Sequence, residues 1–571
     1  MELVRQPLAK LGFDYIRFRF GLRTALAACL SLIIAWALGL EHPQWAAMTV
    51  WAVSQPTRGL LLEKGAYRAL GTLIGTLFGM ILVVTADHQI LPVAMGLTLW
   101  VALCVYLGNL IHGLVSYGTI LAGYSASMVA LLSRSPDALL PLGIDRLLTV
   151  FVGVMMALVV GWLFTYKRAE QSLINQMRRE TIISLENVAQ LFSKQDKTLL
   201  NFDDRLSKLA QIEAQLLEHG TGSPAAHESA RLVRKVINSQ LEWLAQIYFL
   251  PLEANQEISK HLLNAASLLR QNAKRSDILA ALKNASLSVR QSPLRSAFDE
   301  FIEACDERLS FRDSGRAASS TRRSLSLLHR DWIGAREASI RTMVIMGLIS
   351  ALWWYTEWFQ VAFLLLGASI MLTLFSTTDN PAKTMKTVFI GQCAGALLSI
   401  VIHAAIWPYL ESTGAMVMSL LPIMFIAAFP LSHHRTINGS MDFILVFLLL
   451  MQPVIPYSFE VFNSVSIALA VVLAPITAML GYKLLYPTNL ARREHALTIA
   501  IAHELEAFGQ TPASASRRRR YRARFYHRLF KLIQIADKTH ASYKSVISWL
   551  LRYQQVMVSH ERSMDKDLPR Q

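Results

Sequence analysis

Cysteine is rare in this chain. Four of them, Cys29, Cys104, Cys305 and Cys393, are scattered through 571 residues. They form neither a disulfide framework nor the paired spacing of a zinc site. Charge is scarce too: 17% of residues are charged, against about 25% in a soluble domain. No G-x-x-x-x-G-K-[ST] loop occurs, which argues against ATP as an energy source. No H-E-x-x-H or C-x-x-C motif occurs either, so no metal or cofactor is expected. Strand-like alternation is not sustained anywhere. A charged N-terminus leads into an apolar run of full span length, and no cleavable signal peptide is expected.

What the chain does have is apolar length. It is 53% hydrophobic, with a mean hydropathy of +0.35. A spanning helix needs about 20 mainly apolar residues. Six candidate spans lie near 22–40, 44–57, 66–86, 90–109, 112–132 and 146–166. Six more lie near 341–357, 359–376, 385–406, 414–430, 439–455 and 463–485. The expected fold class is an all-α integral membrane protein with two six-helix halves. The expected domains are an N-terminal segment (1–21), a first half (22–166), a polar helical domain (167–336), a second half (337–486) and a helical tail (487–571). In 171–192, Leu173, Ile174, Met177, Leu185, Val188, Leu191 and Phe192 share one helix face. The polar stretches read as packing helices, with 310–324 a linker between them.

Basic residues sort the loops. Arg5, Lys10, Arg17, Arg19 and Arg23 precede the first span; Arg58, Lys64 and Arg68 flank the third; Lys167 and Arg168 follow the sixth. Lys383, Lys386, Arg435, Arg492 and Arg493 fall on the same side. The opposite loops hold only Arg134 and Arg146. By the positive-inside rule the N-terminus, central region and tail are expected to be cytoplasmic. The net charge of +16 then belongs largely to a face near anionic lipid, and nucleic acid is not expected as a partner. The run SRRRRYRARF (516–525) fits lipid head groups better than nucleic acid.

The halves repeat. Arg23-Thr24 and Arg341-Thr342 open them, Trp36 matches Trp354, and Arg68 matches Lys386, all at an offset of 318. Gly71, Gly75 and Gly79 answer to Gly391 and Gly395 with a small gap. Two six-span units in the same orientation make a parallel duplication, with a path at their interface.

Few residues in or beside the spans carry chemistry. Arg68 and Lys386 either attract an anion or snorkel to the interface. Asp145-Arg146 is either a local ion pair, a proton-coupled switch or an anion site. Asp442 follows Gly439-Ser440 and either couples protons or caps a helix. His112, His403, His433 and His434 sit at span ends and read as interfacial. Tyr117 and Tyr124, seven apart, share a helix face, with Ser125 and Ser127 nearby. That face suits a planar aromatic acid, or simply packs against neighbours.

Several stretches resemble the fusaric acid resistance family, also called the aromatic acid exporter family. They are HPQWAAMTV (42–50), YRALGTLIGTLFG (67–79), SYGTILAGYSA (116–126), DRLLTVFVGVMMA (145–157), NPAKTMKTVFIGQCAGA (380–396), INGSMDFI (437–444) and YPTN (486–489). The resemblance implies proton-driven efflux of aromatic carboxylic acids across the bacterial inner membrane. It also implies a periplasmic membrane-fusion protein, an outer-membrane channel and possible homo-oligomers. On this reading Arg68, Arg146 and Lys386 offset the charge of the organic-acid substrate, Tyr117 and Tyr124 contact its ring, and Asp145 and Asp442 couple protons. Two departures stand out: Lys386 in place of arginine, and Asp145-Arg146 where Glu-Arg is expected.

Overall fold

The computed structural model describes residues 12–111, 113–133, 135–164, 168–194, 196–251, 253–314, 331–454, 460–487, 490–509 and 515–566. Among them all regular elements are helices, and one isolated bridge joins Phe13 to His433. The chain divides into two units: Met1–Tyr166 with Arg330–Asn489, and Lys167–His329 with Leu490–Gln571.

The first unit is apolar. Its first half comprises α1 (Tyr15–Ala37), α2 (Gln44–Val53), α3 (Arg58–Thr85), α4 (Ile90–Leu110), α5 (Leu114–Leu132) and α6 (Pro136–Phe164). The second unit supplies α7 (Arg168–Lys194), α8 (Phe202–His219), α9 (Pro224–Phe249), α10 (Gln256–Arg270), α11 (Arg275–Leu287) and α12 (Ser292–Ser314). The chain then returns to the first unit as α13 (Trp332–Thr356), α14 (Phe359–Leu374), α15 (Pro381–Ala405), α16 (Thr413–Ile426), α17 (Ala428–Ser432), α18 (Ile437–Leu450) and α19 (Val461–Leu484). Three further helices, α20 (Leu490–Gly509), α21 (Ala515–Thr539) and α22 (Lys544–Lys566), belong to the second unit.

Helices are the natural outcome here, because hydrocarbon leaves no partner for an unbonded peptide group. Among the described residues, nine helices are long and apolar enough to cross a membrane, α16 and α17 acting together as one. The protein is thus an all-α integral membrane protein. Three of the twelve expected spans form shorter helices: α2 with 10 residues, α14 with 16 and α18 with 14. Pro43 precedes α2 and Ser54-Gln55-Pro56 follows it. At 1.5 Å per residue, α2 reaches about half of the ~30 Å hydrocarbon core. Trp45, Ala46, Ala47, Val50 and Trp51 are buried, so protein rather than lipid surrounds this short helix.

The halves interlock by a two-fold rule. The first helix of each half packs on the fourth of the other: α1 on α16–α17, and α13 on α4. The second of each packs on the fifth of the other: α2 on α18, and α14 on α5. Local details repeat as well. Gly39 and Glu357, 318 residues apart, turn the chain between the first two helices at φ of +73° and +54°. Arg23 donates to the Gln55 carbonyl (2.6 Å), and Arg341 to those of Leu485 (2.8 Å) and Tyr486 (2.6 Å). Each duplicated arginine therefore binds carbonyls just past a helix C-terminus of its own half, that of α2 for Arg23 and that of α19 for Arg341. Thr24 and Thr342 each bond back four residues, to Phe20 and Ala338.

A glycine crossing repeats in each half. A Cβ on Gly71 or Gly75 would fall on the carbonyl oxygens of Gly118 and Ala122 in α5. A Cβ on Gly391 or Gly395 would fall on those of Gly439 and Phe443 in α18. These helices meet backbone to backbone, which only glycine permits. In this register Gly391 answers to Gly71, so Val388 and not Lys386 stands where Arg68 stands.

The second unit is built from amphipathic helices around one core. Leu185, Val188, Leu206, Ile237 and Phe301 of the central segment share it with Leu529, Phe530, Ile533 and Tyr553 of the tail. Leu173, Met177, Leu185, Val188, Leu191 and Phe192 are all buried. The basic run contributes to this core: Tyr521 and Phe525 are buried, and Arg522 pairs with Glu242 and Glu300. Arg524 pairs with Glu504 at 2.8 Å, and Tyr526 donates to Glu242 at 2.9 Å. The side chains of 516–519 lie outside the described residues, as does most of the expected linker, since α12 runs to Ser314.

A valine at Gly75 or at Gly391 should destabilise the detergent-solubilised protein by roughly 1–3 kcal/mol, read as a lower melting temperature. Gly347→Ala, where a Cβ meets nothing within 4 Å, should leave it unchanged or raised. Equal behaviour of all three variants would remove the glycine crossing as the packing constraint.

Candidate functional site

The glycine crossing sets one side of the site. Arg68 lies three residues before Gly71 and is 4% exposed. Its guanidinium donates to the Tyr117 hydroxyl at 2.9 Å and to that of Tyr124 at 3.4 Å, both on α5. It does not snorkel. Lys64, one turn earlier on α3, places its ammonium 5.1 Å from the Tyr117 ring centre. Beyond Arg68, Thr72 and Thr76 continue the same helix face at four-residue spacing.

Opposite stand α2 and α6. Arg146 is 2% exposed and lies over the Trp45 ring at 5.1 Å. Arg68, Tyr117, Tyr124 and Asp145 are close enough to feel its charge. No carboxylate pairs with Arg146 among the described residues, and its Nε has no hydrogen-bond partner. Asp145, next in sequence, points elsewhere. Its carboxylate accepts the Glu41 backbone N–H at 2.9 Å and meets His42 Nδ1 at 2.9 Å. The His42 ring in turn stacks on Trp45 at 4.2 Å. Asp145 and Arg146 are thus not partners in a local ion pair: successive residues on a helix diverge by about 100°.

The seam between these helices is polar and unsatisfied. Both side-chain polar atoms of Gln44, the Trp45 Nε1 and the hydroxyls of Thr49, Thr72, Thr76, Ser125 and Ser127 are buried without partners. Natural folds rarely leave so many polar groups unmet. Gly153 of α6 brings Thr49 and the Ala46 carbonyl against that helix, so α2 and α6 close one wall. The seam can hold an anion by its cations, a ring by its aromatic faces, and hydroxyl or water groups by its spare donors.

The structure brings together Arg68, Tyr117, Tyr124, Arg146 and Asp145. It does not bring Lys386 or Asp442 into that cluster. Lys386 is exposed on α15. Asp442 is half-buried on α18, the helix that packs on α2, and it makes no ion pair among the described residues. His403 contacts the Leu450 carbonyl at 3.2 Å, and His434 the Gly12 carbonyl at 3.1 Å. His112 and Arg134 lie outside the described residues. Sequence reasoning missed Lys64, His42 and Trp45 as members of the site. A His-Pro-x-Trp pair ahead of a short apolar helix was the available signal for the last two. A cavity of about 380 Å³ near Val83, Ile90, Trp353 and Phe359 contains none of the expected residues.

Charge held deep in a membrane bundle marks a route for ions or solutes, and it sets this chain among membrane transport proteins. The profile of the fusaric acid resistance protein family matches residues 17–560, and the chain belongs to that family. The chain is 21% identical over 589 residues to the p-hydroxybenzoic acid efflux pump subunit AaeB of Erwinia billingiae, covering 97% of this chain and 88% of the relative. The AaeB subunit of Pantoea ananatis is 20% identical over 591 residues, with the same coverage of both chains. An uncharacterized transporter of Gluconobacter oxydans, GOX0755, is 22% identical over 454 residues, 71% of this chain, which spans 61% of that relative. No solved structure matches the chain.

A cation kept for a ligand does not stabilise the empty fold. Arg146→Met should therefore keep or raise the melting temperature of the purified protein. Asp145→Ala strands the Glu41 N–H and the His42 ring, and should cost roughly 1–3 kcal/mol. A marked loss of stability in Arg146→Met would make that arginine structural.

Proposed function

We propose that the protein exports aromatic carboxylic acids, or related weak organic acids, from the cytoplasm across the bacterial inner membrane. One observation carries this reading: two deeply buried guanidinium groups flank aromatic rings, and among the described residues neither forms an ion pair with a carboxylate. An organic carboxylate is repelled by hydrocarbon, and a fixed cation along its path offsets that cost. Arg68 and Arg146 supply the cations, with Lys64 at the near end. Tyr117, Tyr124 and Trp45 present faces and hydroxyls to a ring. The names of the two AaeB relatives support the substrate class.

Coupling to protons is part of the same proposal. Asp145 holds His42, whose ring stacks on the Trp45 that Arg146 covers, which puts the proton-coupling candidate Asp145 beside the anion site. Asp442, on the second-half helix that packs on α2, is a further candidate. Lys386, left at the surface, is assigned the role of an interfacial anchor. The excess of basic residues in alternate loops supports cytoplasmic placement of the N-terminus, the second unit and the tail. A periplasmic membrane-fusion protein and an outer-membrane channel would complete the route, as the family resemblance implies.

Cells lacking the protein should become more sensitive to p-hydroxybenzoate and similar acids. Restoring Arg146→Ala should leave them as sensitive as the deletion, with membrane insertion intact by fluorescent fusion. Efflux from loaded cells should stop when an uncoupler collapses the proton gradient. Continued downhill flux under the uncoupler would make the protein a passive anion channel, and normal efflux by Arg146→Ala would end the assignment of that residue.

A further inference from the structure

The second unit contains a cavity of about 470 Å³ lined by residues of α7 to α12, with His219 from the end of α8. Its volume falls within the range of small-molecule sites, about 300–1,000 Å³. The floor is apolar: Met177, Val236, Leu269, Ile278, Leu282 and Leu309. Cationic groups line one side: Arg178, Arg308 and Arg312. Neither Asp nor Glu is among the described lining residues.

Arg308 is the unusual member. It is 8% exposed, its Nε has no hydrogen-bond partner, and no carboxylate pairs with it among the described residues. Its one close neighbour of note is the Phe311 ring, 5.7 Å from the guanidinium carbon. Elsewhere in this unit the buried Arg205 is neutralised by Glu180 at 2.6 Å, and the half-buried Arg234 by Glu213 at 2.9 Å. Burial lowers the pKa of Arg308, and the charge of Arg312 adds to that. An arginine still cannot shed its proton near neutrality. It therefore needs an anion.

The other two arginines are held in place. Arg178 and Arg312 each donate to Asn272 Oδ1 at 3.1 Å, and Arg312 is also paired with Asp313 at 2.8 Å, so Arg308 is left as the buried cation without a carboxylate among the described residues. The N-terminus of α9, a 26-residue helix, supplies a second attraction. Ser223 accepts the Ala226 N–H at 3.1 Å, and Pro224 has none to offer, while Ser223, Ala225 and Ala226 all line the cavity. The positive end of that helix dipole faces the same space.

We propose that this cavity binds a small amphipathic organic monoanion, its carboxylate on Arg308 and its apolar body on the Leu–Ile–Met floor. A flat aromatic carboxylate fills both halves of the description. The site is separate from the seam in the membrane unit and does not depend on the export reading. It gives the protein a second place to bind an organic acid, outside the bilayer-crossing helices.

The test uses the full-length protein in lipid nanodiscs, with 2-naphthoate as the probe and equilibrium dialysis as the readout. Saturable binding should weaken at least about tenfold in Arg308→Gln, a charge-assisted contact being lost. Ala226→Phe, at a half-exposed position on the rim, should block the cavity without removing charge. Neutral 2-naphthamide should fail to compete, and so should inorganic phosphate. Arg146→Gln in the membrane seam should leave this component of binding intact. Unchanged binding in both Arg308→Gln and Ala226→Phe overturns the proposal, and should Arg308→Gln fail to fold, Ala226→Phe decides alone. Loss of all saturable binding in Arg146→Gln would place the only organic-acid site in the seam and overturn it as well. Competition by phosphate would overturn the assignment to an amphipathic carboxylate.

Discussion

The backbone contact between α3 and α5 sets the position of everything functional in the membrane unit. Three glycines let α3 lie against the carbonyls of α5, and the register of that contact leaves no freedom for what precedes it. Arg68 is carried to the tyrosines by the same few ångströms. Once there, its charge cannot be shed and cannot reach water, so two phenol hydroxyls and nearby rings must hold it. The wall made by α2 and α6 then brings a second guanidinium, equally unable to neutralise itself. Packing without side chains thus creates a place where charge is stored without an answering charge.

The second half keeps the packing and discards the chemistry. Its glycine crossing repeats the first, and its helices make the same pairings with their partners. Yet Val388 stands in the place of Arg68, and α19 carries no charged residue before Lys483. A duplicated scaffold therefore holds a single cationic seam. The second half acts on that seam through α14, which packs on α5, and α18, which packs on α2. Movement between halves would bear directly on the helices that carry Tyr124 and Trp45.

Much of the architecture was legible in the sequence, because apolar length and glycine spacing are local signals. The duplication at Arg23 and Arg341 was legible for the same reason, though the carbonyls each arginine binds, past the second helix of one half and past the last helix of the other, were not. Tyr117 and Tyr124 could be paired by helix periodicity, and both meet Arg68. The Arg68–Lys386 match at one constant offset misled, since the glycines slip by two residues between halves. Asp145 and Arg146 looked like partners because they are adjacent, but adjacency on a helix separates side chains. His42 showed only as part of a His-Pro-x-Trp sequence, while Lys64 enters the site through a contact across helices, which no single-chain pattern reports. The same holds for the Arg308 cavity, built from six helices whose sequences each read as plain packing faces.

The shared core of the second unit has a consequence for how the chain is threaded. Residues on either side of the second membrane half, in α12 and in α21, are built into one folded body. A single body cannot straddle a bilayer, so the chain must leave and return to the same side. The number of crossings between them is therefore even. Four helices in that interval are long enough to cross. The two shorter ones, α14 and α18, must then act alike: either both traverse the bilayer or neither does. Two segments with 62 residues between them, Phe359–Leu374 and Ile437–Leu450, are bound to one choice by the folding of a core to which neither belongs.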